Sequence, residues 1–355
     1  MTAPRLLALT TATPPRKLPR SEWLTIARRL SPARVDSRVL ERLADRSGID
    51  ARACACLAPP FGESFYPADD GSGGPTTARR MDLWWAGVRD MGERAARAAL
   101  AESGCAPGSI THVVTASCTG FRAPGLEMHL IECLGLPASA RRTNIGFQGC
   151  HAAVNALAAA HSIVRAEPAA RVLVCCAEVS TAHFHYSDRL DRLIANTLFA
   201  DGCAACVVGM SADATQPAIL ATHSRLFPAT AGEMGWLVGD HGFEMMLGAR
   251  VPELLEQAVG PWVDGALAGH GLSRDAVGGW AIHPGGPRVI DAVLASLGLP
   301  PGAGHHSREV LRRHGNMSSA TLPFIVRDLF DAGMPRPWVG MAFGPGLAGE
   351  LLVLG

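Results

Sequence analysis

The sequence predicts an α/β fold built as two duplicated halves, and three observations carry that prediction. Two segments, ITHVVTASCTG and VGGWAIHPGG, each run an apolar, β-branched strand pattern into a loop of small and polar residues. From each loop the chain travels nearly the same distance to a second glycine-flanked site: 32 residues from Cys118 to Cys150, and 33 from His283 to Asn316. Both second sites follow a basic turn, ARRTN or LRRHGN, and open a helical pattern, AAVNALAAAHSIV or SSATLPFIVRDLF. Each half then closes on a buried strand, RVLVCCAEV or PWVGMAF, the latter leading into the glycine loop GPGLAGE. Strands alternating with helices call for a mostly parallel sheet covered on both faces. Two such copies pack sheet to sheet, with a helix pair between them.

The remaining elements follow in order. The opening run LLALTTA fits a first strand, and Arg79 to Ser103 carries Met81, Trp84, Val88, Met91 and Ala95 on one helical face, ended by Gly104. Between Leu57 and Thr77 neither period is present, and a loop of that length reads as a surface insertion without chemistry of its own. At 355 residues the chain suits about two domains with an ample core. Lys plus Arg equals Asp plus Glu at 32 each, so the protein as a whole has no electrostatic reason to seek nucleic acid or anionic lipid. Its ten cysteines lie largely in apolar runs, as Cys175, Cys176, Cys203 and Cys206 do, and read as small buried hydrophobes in a reducing compartment. No run approaches the roughly 18 apolar residues of a membrane span, so the expected location is the cytoplasm.

Three positions carry the chemistry. Gly149 permits a tight strand-to-helix turn, so Cys150 is expected near free backbone N–H groups and the positive end of a helix, where thiolate is favoured over thiol. His283 ends a strand, and Pro284, Gly285 and Gly286 clear space before its ring. An imidazole there can hold a thiolate and share a hydrogen bond with a developing oxyanion. Asn316 alone reads as a helix N-cap, but its place matching Cys150 in the duplicate plan argues for an amide aimed at the same centre. Zinc is disfavoured by spacing: Cys203 and Cys206 form one CxxC without a second pair, and His183 with His185 makes a lone HxH.

These segments resemble the type III polyketide synthases, the chalcone synthase-like superfamily of the thiolase fold, in a bacterial-type form. QGCHA, LFADGCAA, IHPGGP, GNMSSA and FGPGL stand in the family's order, and the likeness runs from the first strand to the closing loop. The resemblance implies a five-layered core of two αβαβα halves, an N-terminal half over 1–212 carrying the nucleophile and a C-terminal half over 213–355 carrying the histidine and asparagine. It implies that Cys150 is loaded with the starter and growing acyl chain, while His283 and Asn316 promote malonyl-CoA decarboxylation and stabilise the enolate. Acyl-CoA and malonyl-CoA are then the substrates, no metal or prosthetic group is needed, and the enzyme is an acyltransferase acting as a homodimer. By the same likeness Phe199 and Phe243 are gatekeepers between CoA tunnel and cavity.

Cys118, Ser180, His183 and Ser318 are implied as cavity wall, with Gly344 and Pro345 in the closing loop at the site. The bulk of His183, where plant members carry threonine, should narrow the space, and Ala123 replaces a methionine that in plant members reaches into the neighbouring subunit. Arg46 and Arg52 in DRSGIDARA correspond to a basic CoA-binding stretch, with Asp50 where a lysine is common. Two alternatives remain at this point: a β-ketoacyl-ACP synthase III-like enzyme, which shares the three residues but not HPGGP, and a non-catalytic thiolase-fold partner, which would have lost the nucleophile.

Overall fold

The protein is described as a computed structural model over residues 2–32, 35–57, 61–62 and 65–355. The first half begins with β1 (Ala3–Ala12), β2 (Lys17–Pro19), α1 (Arg20–Arg29), α2 (Ser37–Ser47), β3 (Ala51–Ala53) and the long α3 (Thr77–Ser103). Strands and helices then alternate through β4 (His112–Ser117), α4 (Leu126–Leu134), β5 (Arg141–Gly146), α5 (Ala152–Ala166), β6 (Arg171–Val179), α6 (Leu190–Leu198) and β7 (Asp201–Ser211). The second half comprises β8 (Ile219–Leu226), the hairpin β9 (Met234–Gly239) and β10 (Gly242–Leu247), α7 (Val251–Ala268) and β11 (Gly279–Ile282). It finishes with α8 (Pro287–Leu297), α9 (His305–His314), α10 (Thr321–Asp331), β12 (Trp338–Gly344) and β13 (Ala348–Leu354).

The expected α3 is present and its ends have physical causes. Thr76 accepts from the Arg79 N–H at the start, and Gly104 takes the left-handed conformation, φ 66°, that ends the helix. Two sheets result, ordered β1-β7-β6-β4-β5 and β11-β12-β13-β8. Both are mixed rather than mostly parallel: β4 runs parallel to β5 and β6, and β11 to β12, but β7 and β13 run antiparallel to both of their neighbours. Only Pro345–Leu347 joins β12 to β13, too short for a crossover, so that pair must be antiparallel.

The halves stack in five layers, as expected. On the outside α3 packs Val88, Met91 and Ala96 against Leu173 and Val207. In the middle, Leu157 and Val164 of α5 share one cluster with Phe324 and Ile325 of α10, Val174 and Val208 of the first sheet, and Leu352 of the second. On the far side Leu255 and Val263 of α7 and Ile290 of α8 cover Ile282, Met341 and Leu351. The duplication is imperfect in one place. Where the first half has β5, the second half has a single bridge, Asn316 paired with Phe199 across the seam between the halves.

Of the 57–77 loop, residues 58–60 and 63–64 lie outside the described residues. Beyond them Phe65 and Tyr66 are buried and the Tyr66 hydroxyl donates to the Thr181 carbonyl at 2.7 Å, while residues 67–72 are exposed. The described cysteines form no disulfide. Cys203 and Cys206 fall in different hydrophobic clusters on opposite faces of β7, so they cannot share a metal.

Candidate active site

Cys150 sits in a 3₁₀ turn, Gly149–His151, that feeds α5. The turn needs its glycine twice over. Gly149 has φ 73°, and a Cβ there would lie 2.4 Å from Cδ of Pro345. Gly344 faces the same turn from the other side, where a Cβ would meet the His151 ring at 2.5 Å. Gly344 and Pro345 therefore shape the seat beneath the nucleophile and are not among the residues lining the cavity, a correction to their expected place in the substrate wall.

A cavity of about 650 Å³ opens in front of the turn, and Cys150, His283, Asn316 and Phe199 all line it. His283 follows β11 and is fixed by its backbone, its N–H donating to the Met341 carbonyl at 2.8 Å. The ring is 1% exposed and neither nitrogen has a hydrogen-bond partner among the described residues. A buried ring with both nitrogens unused is costly unless a ligand completes it.

Asn316 is held by the bridge to Phe199, its N–H donating to Leu198 O at 2.9 Å and its carbonyl accepting from Ala200 N at 2.8 Å. Its side-chain Oδ1 accepts from the Ser318 N–H at 2.8 Å. That bond spends the amide's acceptor, so the NH₂ end is left to face the sulfur, with which it is in hydrogen-bonding reach. The N-cap-like role and the donor role expected of Asn316 thus coexist in one side chain.

Electrostatics bear on the thiolate expectation. Burial pushes the Cys150 thiol up to about 12, an effect that hydrogen bonds from Ser318 and Asn316 only partly offset. Burial likewise pushes His283 down to about 3. Burial in this pocket therefore opposes the thiolate expected from the helix start, and opposes the imidazolium equally.

Behind Cys150 lies a buried polar chain that the sequence reading entered only at its edges. Ser318 is in hydrogen-bonding reach of the Cys150 sulfur and contacts Cys118 Sγ at 2.9 Å. Glu178 closes the chain, accepting from the Cys118 and Thr119 backbone N–H groups, the Thr119 hydroxyl at 2.6 Å and the Ser319 hydroxyl at 2.5 Å. Burial raises the Glu178 carboxyl despite these donors. Glu178 was missed because the apolar strand RVLVCCAEV hides it; an acid inside a fully buried strand was the available signal.

Phe199 stands where expected, lining both the main cavity and a second void of about 20 Å³ behind it. Phe243 does not. It is fully buried, stacked on His183 at 4.2 Å and 12°, and absent from the main cavity, whose corresponding wall is Met245, two residues on along β10 and on the same face. His183 is present in the second void but chemically spent. Its Nδ1 accepts from Phe243 N at 2.9 Å, which leaves Nε2 to donate to Thr119 O at 2.6 Å. Ser180 lines the same void with its hydroxyl unpaired among the described residues.

Arg46 lines the mouth of the main cavity together with Arg288, which sequence reading missed. Arg52 is corrected outright. It is 2% exposed, lies 3.7 Å above the Trp23 ring, and donates to the carbonyls of Asn196, Thr197 and Phe199 at the end of α6. A cation there satisfies the orphan carbonyls of a helix C-terminus and cannot reach a phosphate. Asp50, read as weakening phosphate attraction, is paired with Arg312.

A thiol, an imidazole and an amide donor converging on one largely apolar cavity define a thiolase-type acyl-transferring site. The sequence models of the chalcone and stilbene synthase N-terminal and C-terminal domains match residues 2–212 and 218–355. The α-pyrone synthesis polyketide synthase-like protein Pks18 of Mycobacterium tuberculosis is 34% identical over 286 residues, 78% of this chain and 73% of that protein. The 1,3,6,8-tetrahydroxynaphthalene synthase of Streptomyces peucetius is 30% identical over 98% of this chain and 92% of that protein. Among solved structures, PKS-I of the brown alga Ectocarpus siliculosus superposes with a TM-score of 0.95 at 30% identity, covering 100% of this chain and 98% of that one. The chain belongs to the chalcone and stilbene synthase family and is a type III polyketide synthase, an acyltransferase that extends acyl chains with malonyl-CoA.

Proposed function

We propose that Cys150 carries the acyl chain, that His283 and Asn316 handle the malonyl unit, and that the starter is presented as a CoA thioester. The observation that carries this reading is the convergence of the three side chains on one cavity, with the Asn316 amide turned donor-outward by Ser318. The Cys150 thiol attacks the acyl-CoA carbonyl, its proton passing through His283 to the departing CoA thiolate. Malonyl-CoA then loses CO₂, and the electron pair of the broken C–C bond becomes an enolate whose oxygen accepts from neutral His283 and from Asn316. The enolate carbon attacks the Cys150 thioester, the C–S bond breaks, and the chain leaves two carbons longer on CoA. Reloading onto Cys150 repeats the cycle until the product cyclises to a pyrone or phenolic ring. This chemistry calls on no metal or prosthetic group. Arg46 and Arg288 at the mouth supply the cations for CoA phosphates.

The test is a carrier-free incubation. Purified protein with malonyl-CoA and a panel of acyl-CoA starters should release condensed products identifiable by mass. An absolute requirement for an acyl carrier protein would defeat the reading.

The same proposal includes a homodimer. Strand β5 is the edge of the first sheet, pairs only with β4 among the described strands, and is almost entirely exposed. Phe121 and Phe147, beside it, are 57% and 38% exposed. An open edge flanked by two aromatic rings is a template for a second copy of the chain. Light scattering should give twice the chain mass of 37.2 kDa, and Phe147→Asp should shift it toward the monomer. A monomeric parent would rule the dimer out. No helix among the described residues is long and apolar enough to cross a membrane. We place the enzyme in the cytoplasm, where CoA thioesters and reduced thiols coexist.

A further inference from the structure

Among the described residues Glu93, His129 and Cys133 form one group of three potential metal ligands, a carboxylate oxygen, an imidazole nitrogen and a sulfur all within 4.8 Å of one another. Glu93 belongs to α3, whereas His129 and Cys133 stand one helical turn apart on α4, on one face. None of the three lines the main cavity. The sequence hides the group, because an isolated His-x-x-x-Cys gains its third ligand only when α3 packs beside α4.

Two features go beyond proximity. His129 Nε2 is shielded from solvent and has no hydrogen-bond partner among the described residues, since Glu93 Oε2 stands 3.8 Å away, too far for a hydrogen bond. Glu93 also divides its oxygens: Oε1 accepts from Arg97 at 2.7 Å, and Oε2 is the one on the side of His129. Arg97 reaches on to the Cys133 carbonyl at 3.1 Å, so it ties the two helices together without occupying the sulfur or the imidazole. Burial and then Arg89 lower His129, against Glu93 and Glu132, so the ring is neutral and keeps a lone pair to give. Burial and then Glu93 push the Cys133 thiol up to about 11, which Arg97 only partly offsets. A dication reverses that second penalty, because it offsets the charges of the thiolate and of Glu93 together.

We propose that Glu93, His129 and Cys133 form a structural site for a divalent first-row transition ion, zinc above all, which clips α4 to α3 with water as its fourth ligand. The metal–sulfur bond forms as the Cys133 thiol proton leaves to solvent, and nothing is oxidised or reduced. Mixed nitrogen, oxygen and sulfur donors suit zinc and not magnesium or calcium. Bonds of about 2.0–2.3 Å at tetrahedral angles place ligand atoms about 3.3–3.7 Å apart, so side-chain rotations of about 1 Å close the group on the ion. The ion takes no part in condensation, which proceeds in the cavity without it.

The experiment titrates chelator-dialysed, reduced protein with Co²⁺ as a spectroscopic substitute, and measures Zn²⁺ affinity by competition with a chromogenic chelator. The parent should show a thiolate-to-cobalt charge-transfer band together with the visible bands of a tetrahedral ion. Cys133→Ser should lose the charge-transfer band, and His129→Asn should weaken Zn²⁺ binding at least tenfold. The rise in melting temperature that Zn²⁺ gives the parent should vanish in both. Cys150→Ala removes the rival thiol–imidazole pair with His283 and should bind as the parent does. A parent without the thiolate band overturns the proposal, as does a band that survives in Cys133→Ser or disappears in Cys150→Ala. Should the Cys133 and His129 variants not fold, alkylation of Cys133 in the parent decides: Zn²⁺ should slow it at least tenfold, and an unchanged rate would refute the site.

Discussion

Cys150→Ala is expected to abolish acyl transfer. Mass spectrometry of the parent incubated with an acyl-CoA should show the acyl increment on the peptide containing Cys150, and the variant should show none. Condensation should fall on the order of 10⁴-fold or more, the scale at which removing a covalent nucleophile acts. The specificity of this result comes from the neighbours. Cys118 is tied to Cys150 through Ser318, yet its sulfur lies beside buried Glu178, and burial together with that carboxylate drives its thiol well above the ordinary range. Cys176 lies in the central hydrophobic cluster between the sheets. An acyl adduct on either of them would refute the assignment. Malonyl-CoA decarboxylation should survive in Cys150→Ala, because the donors for the enolate come from the other half of the chain.

His283→Ala and Asn316→Ala should each depress malonyl-CoA decarboxylation by roughly 10²–10³-fold, the cost of one oxyanion donor in a water-excluded site. Burial holds His283 down to about 3, so its ring stays neutral and donates one N–H across the range in which the enzyme is assayed. Between pH 5 and 9 the decarboxylation rate should therefore show no inflection belonging to His283; an inflection near 6.5 that vanishes in His283→Ala would contradict this. The same residue governs the thiol. Burial raises Cys150, so at neutral pH its proton must be taken by a nearby base as it reacts. Iodoacetamide alkylation of Cys150 should accordingly slow at least tenfold at pH 7 in His283→Ala, and its pH dependence should move alkaline. An unchanged alkylation profile would show that the imidazole does not serve the sulfur.

The candidate trio was legible because Gly149 and Gly315 immediately precede two of its members and Gly285 follows the third by two residues, and glycine in a strand-to-helix or strand-to-loop turn is visible in one dimension. Two stacked sheets with a helix pair between them were legible from the duplication and from the period changes that mark each element; the count of five layers came from the resemblance. What escaped was decided by residues distant in the chain. Arg52 reads as a surface cation in DRSGIDARA, but the carbonyls ending α6 and the face of Trp23 replace its water, and neither is signalled nearby. Only the family resemblance marks Phe243 as the second gate, and Met245 carries no signal in the sequence. The two share a face of β10, and only the packing against His183 and Trp236 decides which one meets the cavity. Trp236 itself carried no motif, since it is held by a hydrogen bond to the Cys118 carbonyl from a different half of the chain. The parallel character of the sheets was overread for a related reason: the Pro345–Leu347 link dictates pairing sense by its brevity, which periodicity does not record.

The seating of Gly149 against Pro345, and of Phe199 against Asn316, ties the two halves together at the candidate site. Neither copy owns a complete reaction centre, so a chimera that grafts one half from a relative must import the matching surface along this join as well. Divergence at the join is thereby coupled: a change on one side of it must be met by a change on the other before the nucleophile regains its seat.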